Sequence, residues 1–159
     1  MAAILTCAFF LSAGMAATAH AAAALPAAGD LAADGAVAKD QRVPVLLFFN
    51  RAGCPYCERA LREFLTPMQR DPAYAGRVLF RQVEIDKALR LADFGGSATT
   101  HREFASRHKI RLTPTIWFVD GEGNALAEPV VGLRTVDFYG FYLEHAIADS
   151  LAKLRSAAP

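Results

Sequence analysis

Strands and helices alternate along this sequence, which predicts an α/β fold with a central mixed sheet of about four strands flanked by helices. Three stretches carry that reading. "VPVLLFFN" (43–50) is a short run of Val, Leu and Phe, suited to a strand covered on both faces. From Cys57 onward Ala60, Leu61, Phe64, Leu65 and Met68 recur at helical spacing and form one apolar stripe. "TPTIWFVDGEGNALAEPVVG" (113–132) reads as a hairpin: "TIWFVD" and "ALAEPVV" are the strands and "GEGN" the turn.

In chain order, residues 1–21, "MAAILTCAFFLSAGMAATAHA", hold no Lys, Arg, Asp or Glu and end in the small-x-small triplet Ala19-His20-Ala21. They read as a cleavable signal peptide, although no basic residue precedes the apolar run. An uncleaved membrane anchor is the alternative. Residues 22–39 are small and polar and are expected to be an N-terminal linker or weak helix. The folded domain is expected over 40–154, with 155–159 as a tail. Within it, Thr66-Pro67 should kink or break the first helix, and "RVLFRQVEID" (77–86) is a strand. "KALRLADFGGSA" (87–98), with paired glycines and no clean period, reads as a loop. Thr100 and Glu103 have the spacing of a capping box before a short helix. Pro129 places the second hairpin strand at a sheet edge. The last helix starts near Thr135, with Tyr139, Leu143, Ala146, Ile147, Ser150, Leu151 and Leu154 on one face. The first crossover joins parallel strands and should be right-handed.

A length of 159 residues suits one domain, and the formal net charge of +1 without long runs of one sign gives nucleic-acid binding no support. With residues 1–21 removed, Cys54 and Cys57 are the only cysteines, and in an exported protein two thiols this close are expected to meet as a disulfide.

Three roles compete for "CPYC". As a structural staple, a loop of about four residues contributes roughly 2 kcal/mol in chain-entropy terms, against about 4.7 for a 100-residue loop. As a metal site the pair is half a set, because structural zinc needs four ligands. His101, His108 and His145 are scattered, and they read as surface or capping residues; no metal is expected. As a redox site the pattern explains more. Pro55 suits the first helical turn, which puts Cys54 at a helix N-terminus, where free N–H groups and the helix dipole stabilise a thiolate. Arg51 and Arg59 are candidates to add positive charge. Cys57 then sits one turn inside, within reach of Cys54.

With these residues in view, the chain resembles the thioredoxin superfamily. "CPYC" after "VLLFFN", "TPT" before "IWFVD", and "VVGLRTVDF" opening the last helix carry the likeness in order and spacing. The export signal, "GCPYC" and "TPT" together look most like the SoxW-like periplasmic thioredoxins. The resemblance implies a thioredoxin fold and a cis peptide before Pro114. It also implies that Thr113 and Pro114 lie beside Cys54, with the Thr113 backbone pairing with a substrate peptide. Cys54 and Cys57 would be the catalytic redox disulfide, and Pro55-Tyr56 the active-site dipeptide. Topology independently brings the start of the strand after Pro114, and the loop after Asp86, to the end of the sheet where Cys54 lies. That loop is expected beside the thiols, where it would shape partner choice.

Three departures stand out. Gly53 replaces the tryptophan usual in thioredoxins. Phe48 stands where they have a buried aspartate that handles a proton for the second cysteine, a role left to Glu58 or water. The 87–98 loop is longer than in a minimal thioredoxin. "CPYC" is also the glutaredoxin dipeptide, but the paired glycine and aspartate of a glutathione site are missing after the hairpin. The expected function is an exported, periplasmic thiol–disulfide oxidoreductase that reduces protein disulfides. A membrane-embedded thiol reductant would restore it, and it would use no cofactor. The alternatives are an oxidase, isomerase or glutaredoxin-like protein on the same fold, and a non-catalytic binding module.

Overall fold

The computed structural model describes residues 25–156; the signal-peptide reading and Ala19-His20-Ala21 lie outside them. Six strands and five α-helices follow in chain order. They are α1 (Leu31–Gln41), β1 (Val45–Asn50), α2 (Pro55–Ala60), α3 (Thr66–Arg70), β2 (Leu79–Glu84), β3 (Arg90–Ala92), β4 (Ala98–Thr100), α4 (His101–Arg107), β5 (Thr115–Val119), β6 (Val130–Val131) and α5 (Val136–Ser156). Four strands form the main sheet in the order β2-β1-β5-β6. β1 runs parallel to β2 and antiparallel to β5, and β5 runs antiparallel to β6. This is the mixed sheet expected from the sequence.

Every residue of β1 is buried, because its two faces feed two cores. Leu46 and Phe48 join Cys54, Cys57, Phe80, Ile116, Tyr139, Leu143 and Ile147 on one side. Val45, Leu47 and Phe49 join Leu31, Val83, Leu91, Phe104 and Val119 on the other. The alternation is the period-2 geometry of a strand with helices on both faces.

The Thr66-Pro67 pair neither stops nor sharply breaks the helix after Cys57. A π-helical segment, Leu61–Leu65, joins α2 to α3, and the Thr66 N–H donates to the Leu61 carbonyl, five residues back. Pro67 has no N–H, and its ring crowds the carbonyl four residues before it; one widened turn accommodates both. The Thr100–Glu103 capping box is present in full. β6 has only two residues, shorter than "ALAEPVV" implied, and it is the sheet's edge, where Pro129 costs no ladder bond.

α1 occupies residues that offered few large apolar groups. Asp30 caps it, accepting from the Ala33 N–H at 2.9 Å. Its buried side, Leu31, Asp34, Gly35 and Ala38, is helically spaced but small. Asp34 accepts a two-pronged ion pair from Arg81 on β2, with the Arg81 Nε at 2.7 Å from Oδ2. A methyl built on Gly35 would stand 2.3 Å from the Gly121 carbonyl oxygen, a rigid backbone atom. Gly35→Ala is therefore expected to destabilise the fold by about 1–3 kcal/mol, as overpacking does. Urea unfolding checks this: the midpoint should fall at unchanged slope, and an unchanged midpoint would refute the close approach.

Residues 87–98 depart from expectation. They are not a loop beside the thiols but the greater part of a β-hairpin, in which β3 pairs antiparallel with β4. Phe94 at its tip packs where Gly35 and Gly123 leave room, and Gly123 follows the end of β5 that pairs with the start of β1. The tip thus reaches the end of the sheet opposite the thiols, and only its base, Lys87–Leu89, stays on their side. The glycines that suggested a loop form its turn. A backbone bridge between Asp30 and Ala92 fastens the hairpin to the start of α1.

His101 is not at the surface. It is 1% exposed; its Nδ1 accepts from the Glu84 N–H at 2.9 Å and its Nε2–H donates to the Ala28 carbonyl at 2.7 Å, which fixes the tautomer.

Candidate active site

β1 ends at Asn50, and the chain turns through Arg51–Gly53 into α2. Gly53 has φ +64°, a left-handed conformation that a side chain at this position would strain. The departure from tryptophan is thus built into the turn itself. Cys54 is the N-cap of α2, and Pro55 fills the first position. Cys54 and Cys57 are disulfide-bonded.

Donors converge on the Cys54 sulfur. The Cys57 N–H points at Sγ from 3.2 Å, and the Thr113 hydroxyl lies 3.7 Å away. The Thr113 carbonyl is 3.8 Å from the same sulfur. An N–H at a helix N-terminus beside a sulfur favours the thiolate over the thiol. Arg59 turns to Glu63, four residues along the helix, and pairs with it at 2.9 Å. Tyr56 is 63% exposed, so the dipeptide side chain faces solvent beside the buried cysteines.

The Thr113–Pro114 peptide is cis. The strand behind it is held twice: the Thr115 hydroxyl donates to the Leu112 carbonyl at 2.8 Å, and the Gly132 N–H donates to the Pro114 carbonyl at 2.7 Å. Cys54, Cys57, Thr113 and Pro114, which the sequence put together by topology and resemblance, are adjacent in space. Leu112, next to them, is 66% exposed.

Phe48 is fully buried in the core that contains Cys57. Besides the cysteines, Tyr139 is the only titratable buried member of that described core; burial raises its pKa, so it stays a neutral phenol. Glu58 is exposed; its N–H donates to the Cys54 carbonyl at 3.1 Å.

One residue escaped the sequence reading. Asp86, just past β2, accepts the Ala52 N–H at 3.2 Å and so ties the turn before Cys54 to the neighbouring strand. Its backbone carbonyl accepts from Arg102 at 2.6 Å. The available signal was positional, since β2 is parallel to β1 and its end lies at the thiol end of the sheet. Among the described residues no three His, Cys, Asp or Glu side chains gather as a metal set.

A family model described as a thioredoxin-like domain matches residues 31–146. The chain belongs to the thioredoxin-like family. With its Cys-x-x-Cys disulfide, this thioredoxin-like protein is a thiol–disulfide oxidoreductase. Two solved structures with TM-scores above 0.5 share the fold, and a third is similar at a lower score. Mitochondrial thioredoxin 3 of Saccharomyces cerevisiae, in oxidised form, is 17% identical over 79% of this chain and 94% of its own, with a TM-score of 0.53. A poplar thioredoxin h mutant is 17% identical over 90% and 95%, with a TM-score of 0.56. The periplasmic thioredoxin SoxS of Paracoccus pantotrophus, in reduced form, is 19% identical over 67% and 98%, with a TM-score of 0.46. No curated protein sequence matches.

Proposed function

We propose that this thioredoxin-like protein is exported and reduces disulfides in other proteins. The observation that carries the reading is the Cys54 sulfur, held between the Cys57 N–H of the helix start and the backbone and hydroxyl of Thr113. In the reduced protein the Cys54 thiolate attacks one sulfur of a substrate disulfide; that S–S bond breaks and the departing sulfur leaves as a thiolate that takes up a proton. Thr113 and cis-Pro114 present backbone to the substrate segment, which fixes the sulfur for in-line attack. Cys57 then loses its proton and attacks Cys54. The mixed disulfide breaks, the second substrate thiol departs, and Cys54–Cys57 closes. Two electrons pass from the dithiol to the substrate, and the Cys54–Cys57 disulfide is the product state of that cycle.

Export is supported by the uncharged apolar start and Ala19-His20-Ala21. No helix among the described residues is long and apolar enough to cross a membrane. In an oxidising compartment the dithiol needs an outside electron source, and a membrane-embedded thiol reductant is the class that fits.

Equilibration against glutathione buffers, read by alkylation of Cys54 and Cys57, tests the direction. The expected potential is about −200 to −260 mV, between glutaredoxins and thioredoxin. A value near about −120 mV, that of a strong oxidase, would overturn the reductase reading. Insulin reduction separates both from a binding module, which shows no turnover.

A further inference from the structure

A hollow of about 160 Å³ opens on the flank of the active site, walled by Arg102 of α4, by Lys109 and Arg111 of the segment leading to Thr113, and floored by Ile85 and Ile110. That volume takes one side chain rather than a cofactor. None of the three cations forms an ion pair among the described residues. No carboxylate lines the hollow. The neighbouring acids are Glu84, half-buried at the end of β2, and Asp86, which turns one oxygen to the Ala52 N–H while the other is buried.

The cations sit on a fixed frame. Arg102 is held by the Asp86 carbonyl, and Asp86 in turn holds the turn two residues before Cys54. Lys109 stands in a left-handed conformation, φ +58°, with its N–H on Ser106 at 3.0 Å and the next N–H on Ala105 at 2.9 Å. Arg111 lies two residues before Thr113, whose carbonyl touches the Cys54 sulfur. A substrate chain lying along Thr113 therefore passes within a few residues of these charges. Like charges held together without counterions stay soluble at a cost in mutual repulsion, and an incoming carboxylate relieves it.

We propose that this hollow receives an acidic side chain of the protein substrate, so that the enzyme favours disulfides with Asp or Glu close to the attacked cysteine. The inference rests on the reductase reading and adds a substrate class to it. The pairing acts mainly on encounter and on KM, because charge complementarity at an exposed rim steers association and sets register more than it lowers the chemical barrier.

Three peptides with one disulfide each, identical except for Glu, Gln or Lys beside the target cysteine, test it. Neutral bis(2-hydroxyethyl) disulfide is run alongside. The unmodified protein should rank kcat/KM as Glu over Gln over Lys, with a spread of about 3- to 10-fold between the extremes at low salt. The spread should shrink as salt rises from about 0.02 M to about 0.5 M, where screening shortens to a few ångström. In the double variant Lys109→Asn, Arg111→Gln the spread should close, through KM, relative to the neutral disulfide. Asn is chosen at 109 because it tolerates the left-handed backbone, and a matching unfolding midpoint shows that the variant is folded. Equal kcat/KM for the three peptides in the unmodified protein, or a spread that survives in the variant, overturns the subsite. Loss of turnover on the neutral disulfide would count against the reductase assignment instead, so the two readings fail separately.

Discussion

Incubated with a disulfide-bonded protein, the reduced Cys57→Ser variant is expected to accumulate as a covalent complex through Cys54, with turnover falling to the rate of uncatalysed exchange. The reason is a division of labour set by position. Cys54 is the N-cap, with a helix N–H at 3.2 Å and Thr113 on its other side, surroundings that favour a thiolate in the reduced protein, so the proposed cycle gives it the first attack. Cys57 is one turn inside α2 and 2% exposed against 6% for Cys54, so the proposed cycle gives it the second attack, on Cys54. Serine at 57 leaves the first attack intact and removes the second. Cys54→Ser should lose turnover to the same extent yet trap almost nothing. Non-reducing gels after acid quench read both outcomes. Equal trapping by the two variants would contradict the assignment of roles.

Phe48→Ala should be the most damaging single truncation in the core near the site, at about 3–5 kcal/mol. Phe48 is fully buried at the middle of β1, opposite Gln82 of β2 and Ile116 of β5. Its ring lies in the core that also encloses Cys57, Phe80 and Tyr139, drawn from α2, β2 and α5. Strands hydrogen-bonded on both sides give little, so the vacated space stays largely empty, and the cavity adds to the lost transfer energy. Chemical denaturation of the oxidised protein measures the loss. A change below about 1 kcal/mol would show that the core collapses around the gap. The ring also occupies the place where the resemblance put a buried aspartate. An aspartate at this position would need desolvation in a core whose other members are almost all hydrocarbon or sulfur. The chain fills the space with a ring, and no carboxylate is among the buried members of that core.

Legibility followed the size of the local signal. β1 was plain because six consecutive buried residues need an apolar run. α5 was plain because Tyr139, Leu143, Ile147 and Leu151 repeat at helical spacing. The thiols announced themselves by spacing and by Pro55. α1 was faint because its inward face is Leu31, Asp34, Gly35 and Ala38. What holds it is absence of bulk at Gly35 and an ion pair to Arg81, 47 residues away. The β3–β4 hairpin was invisible because three-residue strands show no period, and its anchor is a backbone bridge from Ala92 to Asp30. Asp86 was passed over because an acid at a strand end looks the same whether it faces water or clamps Ala52.

The sheet's two margins also bear on self-association. Along the outer side of β2, residues 25–30 run as a rudimentary extra strand: Ala28 N–H donates to the Gln82 carbonyl and Gln82 N–H to the Pro26 carbonyl, at 2.9 and 2.8 Å. On the opposite margin β6 offers two residues, and Pro129 before it has no N–H to give. Neither margin is a long, flat row of open backbone groups on which another chain could crystallise as strands. In the proposed cycle each turnover joins this protein to another chain through Cys54, and blunt margins keep that meeting at a breakable sulfur–sulfur bond rather than at strand pairing.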